Sequence, residues 1–424
     1  MVHVKSLKVK LLRDWSCMKK FIWHDEAGDD YFRLLDYVAV FAGTRFVPKN
    51  HNQKRMLPFW KVYRWMCYYH SIYVIMNAFA HLDRRNNFSE FSWFVMIALE
   101  VVMGHVKDLI VARNSEKIQD AQNFINKRMT IVSDEVFEPG TRKTFFRKVQ
   151  IMCGATGMVA LNMILMMTIP NKQIDELFAL PSWIAFSSVL SYIFKFTISP
   201  PWPCKIICGT VLLTSILEGF KTELLVFAND LGNTVDRARP TVFQQFPDSE
   251  TYQRKDSEEV VFKNLQQHIP QKIMRHIELL EKIQDFKPLV ELFFFVLYFH
   301  AMALIGTYIF VILQTDFSIG SAMILMALTA YFAKCYFWCW VISSFQEVNE
   351  LIALNIMQLI TAIPHPAEHH LKYIELRTML MIMMIRTQSS AQFSCGGLSI
   401  ISVELFGNLL NVSYSVITFL LNII

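Results

Sequence analysis

Seven apolar stretches, each long enough to cross a bilayer, run through this chain of 424 residues and leave it few folds to choose from. They fall at 59 to 82, 90 to 112, 146 to 169, 204 to 229, 288 to 313, 317 to 343 and 398 to 423. Each holds about 20 residues or more, and at about 1.5 Å rise per residue such a helix covers roughly 30 Å of hydrocarbon. In lipid the backbone must satisfy its own hydrogen bonds, which leaves helices or closed barrels, and runs this long are not barrel strands. The sequence therefore predicts an all-α fold, a seven-helix transmembrane bundle. Composition agrees: 53% hydrophobic and 18% charged residues with mean hydropathy +0.31 exclude an ordinary soluble domain.

Lysine and arginine set the expected orientation, because positive flanks stay in the cytoplasm. The N-terminal segment carries Lys5, Lys8, Lys10, Arg13, Lys19 and Lys20 among others. The second loop carries Lys127, Arg128, Arg142 and Lys143, and the fourth carries Arg237, Arg239, Arg254, Lys255 and Lys272. The first and third loops are poor in base and the fifth has none. The N-terminus is expected inside and the C-terminus outside, opposite to a seven-helix receptor coupled to G proteins. Met1 to Lys20 has no apolar core of its own, so no cleavable signal peptide is expected and the first span acts as the insertion signal. Asn87-Phe88-Ser89 is a glycosylation sequon crowded between two spans.

The segments read as a cytoplasmic N-terminal part over 1–58, four spans within 59–240, a cytoplasmic helical region over 241–287, two spans within 288–343, a second cytoplasmic segment over 344–397 and a last span over 398–424. Tyr31 to Val47 is apolar enough for a membrane-surface helix stopped by Pro48. Ile273, Ile277, Leu280 and Ile283 keep helical spacing into the fifth span, so that helix is expected to project well below the membrane. Leu371 to Arg386 is apolar outside any span and needs a covering surface. Cys204/Cys208 and Cys335/Cys339 are i,i+4 pairs and read as small packing residues rather than metal ligands. Lys107, Asp108, Glu218, Lys221 and Glu223 read as structural charges, with Glu218 and Lys221 spaced to pair and Lys334 expected to snorkel inward.

The segment Met384-Ile-Arg-Thr-Gln388, then Gly396-Gly397-Leu398, Ser402-Val-Glu404-Leu-Phe406 and Ser413-Tyr414-Ser415 before an apolar end resembles the C-terminal signature of insect odorant receptors. Arg275-His276-Ile-Glu-Leu-Leu-Glu-Lys-Ile before the fifth span, and Trp338-Cys339 with Glu347 to Glu350 after the sixth, fit the same family. The resemblance implies an odorant-tuning subunit of a ligand-gated, non-selective cation channel. It further implies a tetramer formed with a shared co-receptor in the plasma membrane of an olfactory sensory neuron's dendrite. No cofactor and no enzymatic activity are expected. The last helix would line the pore, and the helices over 241–287 and 371–386 would join subunits. Within the last helix Glu404, Asn408 and Asn411 share one face by their spacing, for pore lining or for helix-to-helix hydrogen bonds. Ile417, Leu420 and Leu421 occupy the positions where the family closes its pore with an apolar ring, which blocks ions by dewetting.

By the same resemblance a small volatile ligand sits among the outer halves of spans two, three, four and six. Candidate lining residues are Phe94, Val95, Ala98, Gly157, Met158, Leu161, Ile207, Val211, Leu328, Tyr331 and Phe332, any of which is equally suited to bundle packing. Gly154 and Gly157 either permit close helix packing or leave room for the ligand. About 15 heavy atoms at roughly 0.5 kcal/mol each give about micromolar affinity. Two other classes stand beside this reading. A gustatory-type channel, often homomeric, closes with Thr-Tyr and then Gln-Phe, whereas here Ser413-Tyr414-Ser415 is followed by no Gln-Phe. Against a transporter or membrane enzyme stand the lack of an inverted repeat, of facing carboxylates with a histidine, and of a nucleotide or metal motif. The fourth loop is too short for the co-receptor itself.

Overall fold

The computed structural model describes residues 30–48, 51–81, 88–127, 137–168, 201–238, 253–314, 319–365, 367–390 and 392–423. Among them the regular structure is helical. In chain order the helices are α1 (Arg33–Phe41), α2 (His51–His81), α3 (Phe88–Arg113), α4 (Ser115–Asn126), α5 (Phe137–Thr168) and α6 (Pro201–Gly232). There follow α7 (Thr234–Ala238), α8 (Gln253–Gln314), α9 (Ile319–Ala362), a 3-10 turn at Ala367–His369, α10 (His370–Ser390) and α11 (Val403–Ile423). The chain divides into two compact units, Met1–Ser115 with Arg142–Ser215, and Glu116–Thr141 with Ile216–Ile424.

In the first unit α2 packs along α3. A helix stands within the 31–47 stretch, shorter than expected, and Gly43 stops it rather than Pro48. Gly43 takes φ +68°, a left-handed conformation that only a residue without Cβ adopts cheaply. Its N–H donates to Val40 O at 3.1 Å and the Thr44 N–H reaches Ala39 O at 3.0 Å, the paired bonds of a Schellman motif. Side chains of α2 add to this cap: Trp60 Nε1 donates a second bond to Val40 O at 3.1 Å, and Tyr63 OH donates to Phe41 O at 2.6 Å. Ala39 and Ala42 bury against Cys204 and Cys208 of α6, which serve as the small packing residues their spacing suggested. Tyr31 and Phe32 are buried as well, edge-on to Phe145 at 5.4 and 6.0 Å between ring centres.

The second unit is built on α8, whose 62 residues continue through Pro270 and Pro288. At about 1.5 Å per residue the helix measures roughly 90 Å along its contour, three times the hydrocarbon thickness. Glu258–Ile309 within it is the one helical stretch among the described residues long and apolar enough, by length and composition, to cross a membrane. Helices α7, α9, α10 and α11 all pack on α8, and α10 and α11 also touch α9. The joint between α8 and α9 is aromatic: Phe293 and Phe294 lie 5.6 and 6.0 Å from Trp338, all three buried. Asn355 of α9 donates to Ala228 O of α6 at 2.8 Å and lies 3.3 Å from where a Cβ on Gly232 would stand.

Candidate functional site

Helix α11 carries the expected pore residues, and its two faces differ sharply. Leu405, Leu409 and Ser413, spaced by four, are buried toward α8 and α9, with Ser413 Oγ returning to Leu409 O at 2.8 Å. Glu404, Asn408 and Asn411 are all exposed on this chain, as are Tyr414 and Phe419. The three polar residues therefore keep to one face of α11 and stay out of the core of their own unit. The helix is well started: Ser402 Oγ accepts the Leu405 N–H at 3.3 Å as an N-cap, and Glu404 in the first turn favours the positive helix end. Val403 N–H donates to Ser343 Oγ of α9 at 3.2 Å. The side chains of Ile417, Leu420 and Leu421 lie outside the described residues, as does that of Phe94.

The turn before α11 explains the Gly396-Gly397-Leu398 motif. Ser394 and Ile400 form an antiparallel bridge, with Cys395 N–H to Ser399 O at 2.8 Å and Ile401 N–H to Phe393 O at 2.9 Å. Gly396 and Gly397 take φ +58° and +78°, both positive as in a type I′ turn, and Leu398 N–H closes it on Cys395 O at 3.0 Å. Gly396 has a second constraint, since a Cβ there would stand 2.4 Å from Phe295 Cδ2 of α8. Glu291, one turn earlier on α8, accepts both Ser394 N–H at 2.7 Å and Ser394 Oγ at 3.0 Å on Oε1. Phe393 is buried edge-on against Phe345 of α9 at 5.8 Å, and burial pushes the Cys395 thiol up to about 11, leaving it protonated and inert.

The motif segments also meet at His276. Thr387 Oγ1 gives its hydrogen to Met383 O at 2.9 Å, so its 3.2 Å contact with His276 Nε2 assigns the ring hydrogen to that nitrogen. His276 is fully buried and stacked on Phe227 at 5.4 Å. Burial pushes its pKa down to about 4, and the nearby Arg386 adds to the shift.

The ligand-lining candidates are dispersed in environment. In the first unit Val95 is half-buried and Ala98 buried, whereas Gly157, Met158 and Leu161 stand exposed on α5. A Cβ on Gly154 or Gly157 would meet nothing within 4 Å among the described residues, so neither glycine marks a close helix crossing there. Gly104 does, with Ile206 Cγ1 at 3.1 Å from its would-be Cβ. In the second unit Leu328 and Tyr331 are buried and Phe332 half-buried. Tyr331 meets His300 of α8 edge-on at 5.6 Å and Tyr308 at 6.2 Å. Lys334 lies over Tyr331 at 5.2 Å. Lys221 donates to Ser344 Oγ at 2.7 Å and lies over Trp340.

One expectation is corrected. The sequence reading puts Asp108 near the inner end of span two and residue 204 at the outer start of span four, yet Lys205 Nζ is 3.3 Å from Asp108 Oδ2. Arg64 and Tyr68, near the middle of α2, reach the same carboxylate, Arg64 at 3.6 Å and Tyr68 through its hydroxyl hydrogen. Together with α1 seated on Cys204 and Cys208, three elements expected at one level meet the start of α6. Asp108 and Lys205 are thus neighbours rather than at opposite ends of their spans, and Ile207 and Val211 are half-buried next to Lys205. The cluster of Arg64, Tyr68, His105, Asp108 and Lys205 was missed as a unit; Tyr68 lies 5.0 Å from His105 and under the Lys205 ammonium at 3.7 Å. The signal for it was a set of ionisable residues inside apolar runs, and the same signal marks His300.

These features define a class first: an all-helical chain with a span-length apolar helix, whose last helix turns polar groups away from its own core. No protein-family model and no curated protein matches this chain. Solved structures do. The insect olfactory receptor OR5 from Machilis hrabei in complex with eugenol matches over 93% of this chain and 100% of its own, with a TM-score of 0.68 and 11% identity. A second structure of that receptor matches over 93% and 98%, again at 0.68 and 11%. The fold is thus similar to that of an insect olfactory receptor, a helical membrane fold.

Proposed function

We propose that the chain is an odorant-gated subunit of a non-selective cation channel. One observation carries the reading: in a fold similar to an olfactory receptor's, Glu404, Asn408 and Asn411 stand bare along the last helix while Leu405 and Leu409 bury on its other side. A polar face on an apolar helix seeks water or another chain, and several copies around an axis supply both. In this reading the chain crosses the plasma membrane of an olfactory neuron seven times with its N-terminus inside. It is the tuning subunit, assembled with a shared co-receptor, and Ile417, Leu420 and Leu421 form the closed gate.

The OR5 structure in complex with eugenol supports a small volatile ligand for this chain too. Val95, Ala98, Gly157, Met158 and Leu161, and separately Leu328, Tyr331 and Phe332, are the first positions to substitute. The test is current recorded from cells expressing this chain with and without the co-receptor, against a panel of volatiles. Odorant-dependent cation current that needs both chains is expected. Current from this chain alone favours a homomeric channel, and no current with any volatile sinks the reading.

A further inference from the structure

We propose that Glu291 is a positioning residue for the channel's gate, clasping the turn that precedes α11 and so setting the angle at which that helix leaves it. The inference rests on the channel reading above.

The turn is held by α8 at two points one helical turn apart. At the first, both polar hydrogens of Ser394, on its backbone nitrogen and its hydroxyl, converge on Glu291 Oε1 at 2.7 and 3.0 Å. Lys287 Nζ lies 3.9 Å from the same oxygen and holds the carboxylate from its own helix. At the second, the Phe295 ring occupies the space that a Cβ on Gly396 would need. Two donors on one charged acceptor are directional, whereas an apolar contact alone tolerates rotation. Ser394 is also one side of the bridge to Ile400, and Ser402, which caps α11, follows two residues later. A shift of α8 therefore carries Glu291 and Phe295 together, and the bridge passes it to the first turn of α11. The opposite hold comes from α9, through Ser343 on the Val403 N–H. The start of α11 is thus pinned between two helices, and the balance of the two holds biases its tilt.

A ligand moves a closed-open equilibrium only by favouring one state, so loosening one hold shifts that equilibrium without touching the ligand's own contacts. The experiment is odorant dose response and basal current in the assembled channel, with surface abundance and ion permeability ratios measured alongside. Glu291→Ala is expected to shift half-maximal concentration or basal open fraction about tenfold with permeability ratios unchanged. Glu291→Gln, which keeps an acceptor oxygen, should stay within about threefold of the parent, and Ser394→Ala, which removes one donor, should fall between them. Gly396→Ala should shift gating through both the ring contact and its positive φ, and adding Phe295→Ala should relieve the ring's share while the backbone strain persists.

If Glu291→Ala does not reach the surface, Glu291→Gln, Ser394→Ala and the Phe295/Gly396 cycle decide. Parent-like gating in all variants that reach the surface overturns the clasp while leaving the channel reading intact. A parent chain that carries no odorant current with any partner overturns both.

Discussion

The Asp108 cluster and the polar stripe of α11 both place charged or amide groups within apolar helices, and the fold treats them in opposite ways. Asp108 has a fully buried side chain, with Lys205 also buried and Arg64 and Tyr68 completing its partners. Glu404, Asn408 and Asn411 face outward, away from the helices that bury Leu405 and Leu409. Polar groups answered within one chain belong to its stability. Those left on its surface are available to neighbouring subunits, water and ions.

The largest expected effect lies in the first region. Asp108→Ala leaves Lys205 and Arg64 without their shared counter-charge, a change that costs about 3 to 5 kcal/mol. Thermal unfolding of the detergent-solubilised protein and surface abundance should both collapse. An Asp108→Ala protein as stable as the parent would erase the distinction between the two regions.

His276 extends the buried case to a group that titrates. Its pKa is about 4 in the fold against about 6.5 in an unfolded chain, so between those values the unfolded chain binds more protons. Stability is then level above about pH 6.5 and falls as pH drops toward about 4, by about 3 kcal/mol in all. His276→Gln should flatten that slope in unfolding curves recorded across the range. An unchanged slope would assign the acid sensitivity elsewhere.

Two glycines provide a smaller and cleaner contrast. Gly104→Ala drives a methyl to 3.1 Å from Ile206, in a crossing already held by the Asp108 cluster, and should destabilise by about 1 to 3 kcal/mol. Gly157→Ala meets nothing within 4 Å among the described residues and should leave stability within about 0.5 kcal/mol while shifting the odorant dose response. If the first is silent and the second unfolds the protein, the packing assigned to these helices is wrong. The smallest stability effect belongs to Glu404→Gln, which should stay within about 0.5 kcal/mol and alter cation permeability. A change in unfolding with permeability untouched would move Glu404 into the structural group.

Much of this was legible from residue spacing. The run from Ile273 to Ile283 into the apolar stretch after Pro288 gave away the unbroken α8, and Leu371 to Arg386 became α10. The face shared by Glu404, Asn408 and Asn411 followed from intervals of four and three and is the exposed face. Periodicity reports which side of a helix a residue takes, however, and not its depth. The apolar run from 204 to 229 was long enough for a span, and nothing in its spacing sets Lys205 beside Asp108. Helix ends were similarly misjudged where a left-handed glycine acts before a proline, as Gly43 does ahead of Pro48. Gly396 was noticed as part of a motif, but its dependence on Phe295 joins residues a hundred positions apart and leaves no local trace.

The cap on α1 also bears on how the protein is made. As the chain emerges from the ribosome, the Schellman bonds of Gly43 and Thr44 can close at once, being local. Trp60 and Tyr63 arrive some twenty residues later to add their bonds to the last turn. The seat for Ala39 and Ala42, however, is Cys204 and Cys208, which are not synthesised until α2, α3 and α5 are complete. During that interval Ala39 and Ala42, buried in the finished fold, have no α6 to cover them. The amphipathic α1 therefore waits with part of its apolar face uncovered, and nascent chains halted before α6 should expose this helix to chaperones and proteases.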